Sequence, residues 1–281
     1  MRNKLFIIGA IFIVIIGIEV LGYNTINRTE HVVVADDCTL TLEANIKEFN
    51  TFGSDNFTCT GLTWDASDNS FWIGDYGALN FGDMLVPRVV EIDKDLRKVL
   101  KVLEVSDVLS DGDNLQGVAY DQNNNSLWLA VGDSCKNINK DGKLIYEFNL
   151  GKYSSYKANG ICVDNDTLWV LCYSKYLLHY DKTGNLIKEF NFNYKGQDQI
   201  CIYEDTILAT IGADYTGENN YVVSIAKETD ASMSVKYQVK GAYAVEGIAV
   251  VDGKLYIVND GLYHDAKIKE SYISIFDINT P

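Results

Sequence analysis

The sequence predicts an all-β chain, folded as a five-bladed β-propeller whose N-terminal strand closes the ring; six blades are the alternative. Three observations predict it. A unit that opens on a polar residue, a Gly and an apolar run recurs five times. Its openings, at 61, 117, 160, 200 and 247, are spaced by roughly 40–56 residues, the period of four-stranded blades. The pentapeptide at 46–50, Ile-Lys-Glu-Phe-Asn, recurs unchanged at 187–191, with a looser copy at 144–149, and each alternates like a half-buried strand. The later copies end a unit, whereas the first has no unit before it and the last unit lacks such a strand. The strand at 44–51 is therefore expected beside 272–278, which removes an open sheet edge.

The chain has 281 residues, enough for one large repeat domain, and only 2 of them are Pro. Its formal charge of -15 argues against nucleic acid and anionic membrane surfaces as partners. Arg2 and Lys4 precede an uninterrupted apolar run from Leu5 to Ile18. Residues 1–22 thus read as a signal peptide or a signal anchor, which places the rest of the chain outside the cytoplasm, secreted or membrane-anchored. Membrane contact is expected only through this segment. Residues 23–37 read as a linker, and 38–281 as the propeller. Cys162, Cys172 and Cys201 fall at apolar strand positions and read as small buried hydrophobes, which leaves Cys38 with Cys59 as the pair to test.

The five inner strands open at Thr60-Gly61, Gln116-Gly117, Asn159-Gly160, Gln199-Ile200 and Glu246-Gly247. Second strands follow at 71–73, 127–129, 168–170, 207–209 and 255–257, and third strands at 88–93, 177–181, 221–225 and 272–277. Blade two shows only a short third strand near 137–139. Fourth strands are read at 98–105, 143–150, 185–192 and 234–239.

In a propeller the first strand lines the channel, and its start opens on the same face as the end of the second. That geometry selects Thr60, Gln116, Asn159, Gln199 and Glu246, together with Asp75, Asp133, Tyr173, Asp214 and Asp260, as a polar ring at one channel mouth. Turn chemistry is the competing account of the acids, because Asp starts turns and accepts loose backbone N–H groups. Converging oxygens would suit Ca²⁺, with Glu246, Asn159 and Asp260 as the ligands to test first. Tyr76, Tyr173, Tyr215 and Tyr263 decorate the same loops and suit a sugar or another polar small molecule. His264 faces the same region, whereas His179 alternates onto a surface position. No phosphate loop, nucleophile elbow or zinc spacing occurs, and no catalytic residue is identified.

The openings Thr-Gly-Leu-Thr-Trp-Asp (60–65), Gln-Gly-Val-Ala-Tyr-Asp (116–121) and Glu-Gly-Ile-Ala-Val (246–250) resemble blades of the NHL, SMP-30/gluconolactonase and SdiA-regulated propeller group. The likeness covers 58–278. Lactonases of this group hold one divalent metal with a Glu, two Asn and an Asp at the channel mouth. The resemblance implies Glu246, Asn159 and Asp214 as stand-ins for some of these, while Gln116 and Gln199 depart from the pattern. Those families are usually six-bladed, against five units here. Phe57-Thr58 before Gly61 also resembles the five-bladed glutaminyl cyclases, without their acidic catalytic motif. The expectation is a monomer that binds a small molecule, carbohydrate or protein ligand, with a metal-dependent lactonase or esterase as the alternative.

Overall fold

In a computed structural model, the structure describes residues 33–35, 40–45 and 57–278, apart from 81–82, 85–86, 110–112, 174, 193, 195, 213, 218 and 228–232. Two short strands precede the first blade, β1 (Val33–Ala35) and β2 (Leu40–Asn45). Blade one is β3 (Cys59–Asp65), β4 (Ser70–Asp75), β7 (Arg88–Asp93) and β8 (Val99–Glu104), with the hairpin β5 (Ala78–Asn80) and β6 (Asp83–Met84) inserted between its second and third strands. Blade two is β9 (Leu115–Asp121), β10 (Ser126–Val131), β11 (Ser134–Asn139) and β12 (Leu144–Asn149). A 3₁₀ turn at Gly151–Tyr156 leads to blade three: β13 (Ala158–Asp164), β14 (Thr167–Cys172), β15 (Tyr176–Asp181) and β16 (Leu186–Asn191). Blade four is β17 (Gln197–Tyr203), β18 (Thr206–Ile211), β19 (Tyr221–Ala226) and β20 (Met233–Gln238). Blade five is β21 (Val245–Val251), β22 (Lys254–Asp260) and β23 (Ser271–Asp277), completed by β2.

The inner strands β3, β9, β13, β17 and β21 each touch the next, and β21 returns to β3, so the ring is closed at five. Five apolar clusters fill the five seams. Phe71 and Ile73 of blade one meet Val258 and Ile273 of blade five, and equivalent clusters lie between each other pair of neighbours. Among the described residues these clusters lie between blades rather than within one, so each sheet is stabilised by its neighbours.

The closing strand differs from the expected one. β2 pairs with β23 over 40–45, with Leu40 opposite Phe276 and Asn45 opposite Tyr272. Only Ala44 and Asn45 of the expected 44–51 strand take part; 46–51 lie outside the described residues. The segment read as a linker also contains a strand, because β1 adds in parallel to the outer edge of β20. Blade two has a full third strand rather than a short one. Its polar residues Lys136 and Asn137 masked it, yet both are buried with partners: Lys136 pairs with Glu147, and Asn137 donates to the Ser126 hydroxyl. His179 is not a surface position. Its ring stacks on Trp169 at 4.1 Å and its Nε2 lies 2.9 Å from Thr167 Oγ1. Cys59, Cys135, Cys162 and Cys172 are buried and free; Cys38 lies outside the described residues.

Two repeated features explain the sequence pattern. First, the glycines stand where inner strands meet. A Cβ on Gly61 would lie 2.3 Å from the backbone nitrogen of Val118, one on Gly117 2.9 Å from the Asn159 carbonyl, and one on Gly247 2.3 Å from the Leu62 nitrogen. Second, the acid at the end of an inner strand accepts from a second-strand Trp and pairs with a Lys of the next blade. Asp65 joins Trp72 to Lys140, Asp121 joins Trp128 to Lys182, and Asp164 joins Trp169 to Lys227. These three staples hold the seams between blades one and four. Blades four and five carry Tyr203 and Val251 at the acid's position and lack the staple.

Because the Gly61 and Gly247 contacts are with backbone, which cannot swing away, Gly61→Ala or Gly247→Ala should cost ~3 kcal/mol of unfolding free energy by denaturant titration. Gly253→Ala, where φ is 73° and nothing lies near the added Cβ, should cost ~1 kcal/mol. Equal costs at all three would show that seam packing is not what these glycines provide.

Candidate functional site

Every inner strand carries a β-bulge at its opening. The register slips between Cys59 and Leu62, Leu115 and Gly117, Ala158 and Gly160, Gln197 and Ile200, and Val245 and Ile248. A bulge turns one residue out of the ladder and re-aims its side chain. The residues so displaced are Thr60, Gln116, Asn159, Asp198 and Glu246, and all five line one cavity of about 530 Å³ at the channel mouth.

Asp198, not Gln199, is the blade-four member. Ile200 pairs with Ala209 as Ile161 pairs with Val170, so Gln199 occupies the glycine position. Its amide reaches across the channel and donates to the carbonyls of Gln116 (2.8 Å) and Asn159 (2.9 Å). Gln199 is thus a plug beneath the cavity. The seam to blade five is bridged by Thr210, whose hydroxyl accepts from Gln199 N–H at 2.8 Å and faces the Glu246 carbonyl at 3.2 Å.

The second group of expected residues divides. Tyr173 and Asp260 line the cavity; Asp75, Asp133 and Asp214 do not. Asp75 is buried and accepts from Arg88 Nε at 2.9 Å and from the backbone N–H groups of Thr58 and Gly77. Asp214 caps its own loop, accepting from Gly217 and Asn219 N–H, and these bonds hold its carboxyl below the ordinary range. Asp133 sits in the tight turn between β10 and β11, and blade two reaches the cavity through Asp113, Asn114 and Gly132 instead. For Asp75 and Asp214, turn and packing chemistry accounts for the acid. Tyr76, Tyr215, Tyr263 and His264 also line the cavity, joined by Tyr156 and Lys157 from the 3₁₀ turn and the residue after it.

The backbone holds this mouth under strain. Lys157 and Ala244 have φ of 58°, and each lies two residues before a ring residue, as does Gly196 at 77°. Their carbonyls accept from the N–H groups of Tyr173, Asp260 and Gly212. These bonds bring the ends of the second strands beside the bulges of the first. Non-Gly residues in the left-handed region cost free energy and concentrate at functional sites.

The electrostatics follow from enclosure. Burial pushes the Glu246 carboxyl well above its ordinary range, and the neighbouring Asp260 pushes it further. Burial raises Asp198 in the same way, and the adjacent Glu246 charge adds to it. The two carboxyls interact directly through their side chains, so the proton belongs to the pair rather than to either residue. Asn159 Nδ2 donates to the other face of Asp198 at 3.0 Å. Burial brings Asp260 up to about 7, against the pull of His264. His264 Nε2 lies 3.4 Å from Glu246 Oε1, and its ring is stacked on Tyr215 at 4.3 Å and met edge-on by Tyr263 at 5.0 Å. Donor atoms of Glu246, Asp260 and His264 lie within 4.8 Å of one another. The mouth is thus a proton-sharing acid cluster under an aromatic wall, able to hold a cation or to take and give a proton.

No family model and no curated protein matches the sequence. Solved structures do. The chain is similar to Myxococcus xanthus glutaminyl cyclase, at TM-score 0.60 and 11% identity over 88% of this chain and 98% of that one. It is also similar to a luciferin-regenerating enzyme (TM-score 0.53, 13% identity, 84% and 95% covered) and to the WD40 domain of Neurospora crassa Pan2 (0.51, 11%, 87% and 71%). At these identities the likeness is one of fold, a β-propeller shared by enzymes and a WD40 domain.

The pH dependence of stability has a definite sign. A carboxyl whose folded pKa is raised favours folding at low pH, where both states hold the proton, and that contribution is lost as pH climbs from ~4 through the folded value. For Asp260 this window runs up to about 7. Asp260→Asn should therefore be more stable than the parent at pH 8, by about 2–4 kcal/mol, with the difference gone at pH 4. A variant equally destabilised at both pH values would contradict the buried, proton-holding environment.

Proposed function

We propose that this chain is an exported β-propeller that binds a small polar ligand, or the tip of a larger partner, at the channel mouth formed by Thr60, Gln116, Asn159, Asp198 and Glu246. One observation carries the reading. All five inner strands spend a bulge to turn a polar side chain into one cavity of about 530 Å³, a size suited to a small molecule. Export is supported by Arg2, Lys4 and the apolar run 5–18. Among the described residues, no helix is long and apolar enough to cross a membrane, and residues 1–32 are not among them.

A second reading, a metal-dependent hydrolase of the lactonase or esterase kind, draws on the proximity of Glu246, Asp260 and His264. A bound divalent ion would polarise a carbonyl there. The donor set fits a transition metal better than the expected Ca²⁺, because an imidazole nitrogen stands among the oxygens. Glu246 and Asp260 would ligate as carboxylates, so the ion would displace the protons they hold. Asn159, expected as a ligand, has its amide nitrogen turned to Asp198 and the Gln197 and Asp198 carbonyls.

Crystals soaked with mixed amino acids, dipeptides and monosaccharides should show new density in this mouth and none in Glu246→Gln crystals. Density confined to the blade sides or to the opposite mouth would overturn the reading. Thermal unfolding after chelation, with millimolar Ca²⁺, Mn²⁺ or Zn²⁺ restored, tests the second reading. A metal shift lost in Glu246→Ala together with lactone turnover would move the assignment to hydrolase.

A further inference from the structure

Elsewhere the fold settles its enclosed aspartates with its own cations. Asp75 faces Arg88, Asp65 faces Lys140, Asp121 faces Lys182 at 2.8 Å and Asp164 faces Lys227 at 3.0 Å. The mouth is the exception. Among the described residues, no ion pair joins a Lys or Arg to Asp198, Glu246 or Asp260, and only His264 is paired with one of them. Lys157 lines the cavity but makes no such pair. The wall above these acids is aromatic and continuous across three blades: Tyr76 lies 6.1 Å from Tyr263, which meets His264 edge-on, and His264 stacks on Tyr215.

We propose that the ligand carries a positive charge, an ammonium or guanidinium group, seated against Glu246 and Asp260 with its carbon atoms along the Tyr76–Tyr263–His264–Tyr215 wall. The proposal deepens the ligand-binding reading above and rests on it. Two arguments select the charge. The mouth acids hold protons where the other enclosed acids hold cations, so an ammonium or guanidinium would displace those protons and supply the partner that Arg88 and the three lysines supply elsewhere, whereas a sugar or an anion would supply none. Aromatic faces attract ammonium and guanidinium groups and leave neutral ligands with dispersion alone.

The test is calorimetric titration at neutral pH, in EDTA to remove metals, with three probes of one shape: benzylamine, benzyl alcohol and benzoate. Choline is added as a cation without N–H groups. Benzylamine should bind at least tenfold more tightly than the alcohol, with no detectable binding of benzoate. Glu246→Gln and Asp260→Asn should each weaken it at least tenfold. Both variants replace a buried acid by its uncharged isostere and should stay folded, which circular dichroism checks; Asp214→Asn, outside the lining, should bind as the parent does. Equal binding of amine and alcohol, both lost in Glu246→Gln, would overturn the cation proposal and leave the site standing. Amine binding unchanged in both site variants would also overturn it, as diffuse attraction to the acidic surface. No binding by either cation would overturn it too, and the soaking experiment then decides the broader reading by itself. Choline binding as strongly as benzylamine would support the charge and the wall without N–H donation to the acids.

Discussion

The fold depends on how closely five inner strands can approach one axis. Backbone meets backbone at Gly61, Gly117 and Gly247, where a single added carbon would fall 2.3–2.9 Å from a neighbouring main-chain atom. That approach brings the strand openings together and forces each to shed a residue from its ladder. The displaced side chains have one place to go, the mouth of the channel. Architecture and site therefore share one cause: the packing that closes the ring also gathers Thr60, Gln116, Asn159, Asp198 and Glu246 into one wall. Gln199 adapts the rule, for it stands where a glycine would and fills the axis with an amide tied to two other blades.

Charge is handled differently at the two ends of the inner strands. At the far end, Asp65, Asp121 and Asp164 sit between a Trp N–H and a Lys from the next blade, so each acid becomes a clamp across a seam. For Asp65 and Asp121 burial opposes the charge, but hydrogen bonds led by those from Lys140 and Lys182 outweigh it and hold the carboxyls below their ordinary range. At the near end, burial goes uncompensated and the acids share protons instead. One fold thus uses the same residue type for stability where a partner is built in, and keeps it reactive where none is. Reactive groups held in unfavourable surroundings are a common feature of binding and catalytic sites.

Much of this was legible in the sequence, because the period of the repeat and the alternation within each strand are set by the same geometry that closes the ring. The glycines, the five openings and the tyrosines at 76, 173, 215 and 263 were visible for that reason. Asp198 was missed because apolar matching aligned Gln199-Ile200 with Asn159-Gly160. The turn held the better anchor: Asn165, Glu204 and Asp252 all adopt left-handed φ near 50°, and each lies six residues after its ring residue. Matching turns rather than apolar runs selects Asp198. The closing strand was placed a few residues late because the repeated pentapeptide matches outer strands elsewhere, whereas pairing with Phe276 and Tyr272 selects 40–45. The roles of Asp75 and Asp214 depend on Arg88 and on the Asn219 loop, contacts that spacing alone does not encode.

The account stands on Asp198, Glu246 and Asp260 forming one proton-sharing cluster. Carbon-13 NMR of side-chain carboxyls, titrated from pH 3 to 9, measures this directly. The account predicts a small set of carboxyls that titrate far above the rest, with the Asp260 midpoint at about 7, and a shift of the surviving members when Asp198→Asn is introduced. A titration in which every Asp and Glu ionises below pH 5, unchanged by that substitution, would show that the strand openings do not meet.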